Sequence, residues 1–82
     1  MAEITATFRN DCGASRRWVI FDLDRDPNSP PIVFNDFLDA DQSTDPLTLH
    51  SGDGLFGRIQ YQRSDGAPQM ADVGNNDEIR MQ

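Results

Sequence analysis

Lysine is absent from this chain and glutamate nearly so: all seven basic residues are Arg, and twelve of the fourteen acids are Asp. The resulting net charge of −7 speaks against nucleic acid or an anionic membrane as a partner, because both are held by basic patches. A single cysteine, Cys12, excludes an internal disulfide. With Asp11 beside it and no Lys or His next to it in sequence, Cys12 is expected to be a quiet thiol. No apolar run approaches the roughly 20 residues of a membrane-spanning helix. The start Met1-Ala2-Glu3-Ile4 has neither the basic region nor the apolar core of a secretory signal. The cytoplasm is therefore the default expectation, although a leader removed beforehand would leave the same sequence. No Gly-x-Ser-x-Gly elbow, zinc-ligand spacing or phosphate-binding loop occurs, so no enzyme is predicted.

What is present is short and alternating. The 82 residues scale to one domain of roughly 4,900 Å² folded surface, enough for a single thin core. The most apolar stretch runs from Arg17 to Asp24 and holds the only Trp. Val19, Phe21 and Leu23 share one parity, while Trp18, Ile20, Asp22 and Asp24 share the other. Side chains alternate across a strand, so one face is apolar throughout and the other runs from apolar to acidic. This stretch reads as a central strand.

The same alternation marks Glu3 to Arg9, with Ile4, Ala6 and Phe8 on one face. A turn at Asn10 to Ser15 leads to the central strand, Arg16 to Asp24, and predicts that these two strands are antiparallel neighbours. Three prolines between Asp26 and Pro31 end that strand. Ile32-Val33-Phe34 predicts a short strand, followed by a turn or one helical turn near Asp36. Further strands are predicted over Leu47 to His50, Leu55 to Arg63, Gln69 to Val73 and Glu78 to Gln82. Asp65-Gly66 is the pair favoured in tight hairpins, and Gly74 to Asn76 forms another turn. Six to seven short strands in a single domain predict an all-β antiparallel sandwich or partly open barrel with at most one short helical turn. At scattered positions, Thr7-Phe8 with Asn10 and Cys12, Leu49-His50-Ser51-Gly52 and Gly57-Arg58-Ile59 resemble the opening strands of thaumatin-like sandwiches. The disulfide framework of that family is absent, and no function is carried over.

Asp-rich segments are the strongest chemical signal. Asp22, Asp24, Asp26 and Asn28 place oxygens at every second position, and Asp39 and Asp41 lie in the next acidic segment. Calcium takes six to eight such oxygen ligands, so two acidic loops at one end of a sandwich provide an alternative, calcium-binding function. Neither run has the Gly and Glu of an EF-hand loop, and solvated loops are the simpler expectation. His50, Ser51 and Asp53 contain the residue types of a hydrolytic triad but lie too close along the chain to converge on one atom. Trp18 is expected in the core, with an exposed interaction surface as the rival. The expected function is that of a small acidic, non-enzymatic module for protein interaction or structure. Its predicted contact is an edge strand at Ile79, Arg80 and Met81, open to a basic protein or a second copy, with acidic loops steering association.

Overall fold

The computed structural model describes residues 2–26, 28–52 and 54–82, apart from the side chain of Ala2. The alternating stretches become seven strands: β1 (Ala2–Asn10), β2 (Arg16–Asp22), β3 (Ile32–Leu38), β4 (Leu47–Ser51), β5 (Phe56–Arg63), β6 (Gln69–Gly74) and β7 (Asp77–Met81). No helix occurs among the described residues. The strands form a three-stranded sheet in the order β4-β1-β7 and a four-stranded sheet in the order β3-β2-β5-β6. The two pack as a small β-sandwich with an accessible surface of 4769 Å², close to the value scaled from length.

Three expectations change. β1 and β2 are not hairpin partners, because β1 lies between β4 and β7 while β2 lies between β3 and β5. The Asn10–Ser15 link is an arch from one sheet to the other. β3 continues through Asp36 to Leu38 instead of turning, since as an edge strand it can leave Asp36 in solvent. β2 stops at Asp22, and Leu23 to Arg25 form a turn.

Ile4, Ala6 and Phe8 from one sheet meet Trp18, Ile20, Ile59, Tyr61 and Val73 from the other, with Leu49 and Met81 completing the layer. Trp18 is fully buried, and its ring lies 6.0 Å from that of Tyr61 at a tilt of 58°. Burial of a side chain this size contributes several kcal/mol to a thin core. The core face of β2 is thus the one that ends in Asp22. Val19 and Phe21, on the continuously apolar parity, face outward and are half-buried.

Four polar residues are buried with this core: Asn10, Asp22, Thr44 and Ser51. Three of them extend an apolar parity by one step at a strand end, after Ile4-Ala6-Phe8, Trp18-Ile20 and Leu47-Leu49. Asn10 Nδ2 donates to the carbonyls of Ala14 (2.8 Å), Leu38 (2.8 Å) and Asp39 (3.2 Å), and its Oδ1 accepts from Cys12 N–H at 3.2 Å. It ties β1 to the end of β3 and to the arch. Ser51 Oγ donates to the Phe56 carbonyl at 2.7 Å and accepts from Gly54 N–H at 2.9 Å. Thr44 joins β1 through bonds with both polar groups of the Phe8 backbone.

The sheets also meet where β5 runs close to β4. A Cβ placed on Gly57 would lie 2.6 Å from the His50 carbonyl oxygen and 3.3 Å from Ile4 Cδ1. The carbonyl is strand backbone and Ile4 is core, so neither yields easily and the strands must separate to admit a methyl group. Gly57→Ala is expected to lower stability by about 2 kcal/mol, seen as a lower urea midpoint with an unchanged slope.

Candidate binding surface

The acidic segments are separated by the register of the β2–β3 hairpin. Arg16 pairs with Leu38 at one end, and Asp22 N–H donates to the Pro31 carbonyl at the other. Asp39 and Asp41 therefore lie a full strand length, roughly 20 Å, from the Asp22–Asn28 turn. The two segments cannot ligate one ion. Their carboxylates also have local partners. Asp22 accepts from the His50 and Arg25 backbone N–H groups, Asp24 contacts Arg58, and Asp26 accepts from Asn28 and Ser29 N–H. Asp41 pairs with Arg9, and Asp39 is exposed. Among the described residues no group of three or more His, Cys, Asp or Glu is placed to hold a metal.

Other singled-out residues have structural places. His50 Nδ1 lies 3.0 Å from Asp22 Oδ2, and Ser51 holds the β4–β5 turn. Pro27 and Asp53 lie outside the described residues. Cys12 is half-buried with Sγ 3.2 Å from the Ala14 carbonyl. Trp18 and Met81 are buried, so neither side chain presents a contact surface, while β7 keeps its place at a sheet edge. Ile79 is half-buried, while Arg80 is exposed.

The two outer faces differ sharply. On the three-stranded sheet, Thr5 pairs with Thr48, Thr7 with Glu78, Arg9 with Arg80 and Glu3 with His50, and all eight side chains are polar. On the four-stranded sheet, Ile32 is opposite Phe21, Phe37 opposite Arg17, and Met70 opposite Gln60. With Phe56 on the same parity of β5, this face carries four large apolar side chains that are 53–64% exposed. Arg17 lies over the Phe37 ring at 5.7 Å. At one end, Asp24, Gly52, Phe56, Arg58 and Asp72 line an open concavity of about 500 Å³. Sequence parity contained the β2 part of this face, but which parity faced water depended on the packing of both sheets.

The strand edges are the second exposed feature. Along an edge strand, alternate residues direct N–H and C=O groups away from the sheet. On β3, Phe37 N–H points outward and donates to Asp36 Oδ1 at 2.7 Å. On β4, His50 N–H donates to Asp22 Oδ2 at 3.0 Å. On β6, Gly74 N–H donates to Asp77 Oδ2 at 2.8 Å. In each of these edges, aspartate occupies a donor that another strand would use. Lysine, the common edge guard, is replaced here by a different device.

Together the faces and edges define a small two-sheet all-β domain with one polar face, one face that carries the exposed apolar side chains among polar ones, and partly capped edges. No protein family, curated protein or solved structure matches the chain. Among the described residues no helix is long and apolar enough to cross a membrane.

Proposed function

We propose that this domain is a non-catalytic protein-binding module that presents the outer face of its four-stranded sheet to a basic protein. The observation behind this reading is the asymmetry of the two faces. Among the described strand residues, Ile32, Phe37, Phe56 and Met70 stand exposed on one, and the other carries no large exposed apolar side chain. Ile32, Phe21 and Met70 fall in one row across this sheet, with Phe37 and Phe56 toward its two ends, and apolar side chains gathered on one face of a small domain mark contact sites. The net charge of −7 favours a basic partner by accelerating encounter. Phe56 and Phe37 supply the aromatic anchors that dominate interface energies.

A photo-crosslinking residue placed at Phe37 or Met70 tests the assignment against the same residue at Thr7 or Thr48. The two apolar-face positions should capture a common basic protein in cells, and the polar-face positions should not. Equal capture from both faces would remove the assignment.

A further inference from the structure

We infer that β7 is a self-complementary docking strand that pairs antiparallel with β7 of a second copy of this chain. Its orientation follows from the backbone. The Met81 carbonyl accepts from Asp11 N–H, and Asn10 is opposite Met81 in a parallel register. By alternation Asp77, Ile79 and Met81 direct their backbone groups to β1, while Glu78 and Arg80 direct theirs to the open edge. No side chain caps either of these outward N–H groups among the described hydrogen bonds. The three other edges each have one outward donor occupied by Asp36, Asp22 or Asp77.

The occupant is set by charge. A two-fold axis through Ile79 places Glu78 opposite Arg80 of the second copy, and Arg80 opposite its Glu78. Both are residues whose outward backbone groups can exchange bonds, so this register forms four main-chain hydrogen bonds and two opposite-charge pairs. Ile79, half-buried on the core side, meets its own copy across the axis. The same operation at the other edges gives no charge match: it sets Asn35 against Phe37 on β3, Thr48 against His50 on β4, and Met70 against Asp72 on β6. Pairing through β7 joins two three-stranded sheets into one of six strands and leaves the apolar face free. This contact is independent of the binding face proposed above. A contact through one five-residue strand falls below the standard interface size, so the dimer is weak and concentration-dependent.

The test is sedimentation analysis of the whole chain over roughly 10 µM to 1 mM, where small interfaces associate. The wild type should move from monomer to dimer. Glu78→Arg alone and Arg80→Glu alone set like charges against each other and should weaken association at least about tenfold. The double variant Glu78→Arg with Arg80→Glu restores the opposite pairs at unchanged net charge and should recover the dimer. Circular dichroism confirms that each variant is folded, as expected for exposed side chains. A wild type that stays monomeric throughout, single reversals that dimerise normally, or a double reversal that fails to recover overturns the inference. Association only with a different protein does so as well.

Discussion

Asn10→Asp is expected to remove a large part of the chain's stability at neutral pH. Asn10 is fully buried, and its amide nitrogen donates to three carbonyl oxygens from the arch, from β3 and from the loop after it. A carboxylate has no hydrogen to donate, and it would put negative charge against those three oxygens. Burial without a partner charge costs several kcal/mol, and about 5 kcal/mol is expected here. A domain of this length has roughly 4–12 kcal/mol of stability. The effect should depend on pH in a defined direction. Desolvation and the facing carbonyls raise the folded-state pKa of the introduced Asp above its unfolded value of about 3.9. The folded state then holds the proton more tightly, so the charge penalty is absent below the unfolded pKa, where only the lost amide hydrogen bonds count, and grows as pH rises through the window above it. Urea denaturation of variant and wild type across pH reads the difference. A constant difference from pH 3 to pH 7 would contradict the assigned role of Asn10.

At the opposite end of the sandwich, Asp22→Ala should lower stability by about 3 kcal/mol. Asp22 is 1% exposed, and its two oxygens serve the Arg25 N–H, the His50 N–H and the His50 ring. The His50 bonds join a strand of one sheet to an edge strand of the other. Removing the acceptor leaves donors stranded and opens the edge of β4, and hydrogen bonds to a charged acceptor contribute about 1.5–3 kcal/mol each. The loss falls below the sum of the three because Arg25 is exposed and the imidazole partly so, and water replaces part of what is removed. Asp22→Asn keeps the shape and one acceptor oxygen for the His50 N–H. That oxygen, at the Oδ2 position, also accepts from Nδ1 when the imidazole hydrogen is there, and only the 3.3 Å bond from the N–H of exposed Arg25 is lost, so the variant should lose only about 1 kcal/mol. Thermal melts should separate the two variants by roughly 10 °C. Equal losses would mean that charge, not hydrogen bonding, holds this end.

The strands were legible because alternation is local, and β4 to β7 lie within one or two residues of where periodicity predicts them. Pairing was less legible. A short link such as Asn10–Ser15 suits a hairpin or an arch, and only the packing of Phe8 against the opposite sheet decides between them. The acidic run at Asp22-x-Asp24-x-Asp26 keeps its spacing in sequence, but the strand ends at Asp22, so the later residues lose the shared face. The buried polar ties do leave a mark in the sequence. Asn10 continues the parity of Ile4, Ala6 and Phe8, as Asp22 continues that of Trp18 and Ile20. A polar residue placed there must find partners inside. The aspartate caps on edge donors could not be read, because they depend on which N–H groups point outward.

The parallel pairing of β1 with β7 also governs how the sandwich forms. β1 is the middle strand of its sheet, yet one side of it is completed only by the last strand, with Ala6 opposite Asp77. Closing so long a loop must precede the contacts that reward it, which slows folding. On a ribosome the β2–β3 hairpin and β5–β6 hairpin can form as they emerge. β1 must wait with one edge unpaired until Asp77–Met81 clears the exit, so that edge stays open while all the strands between them are made.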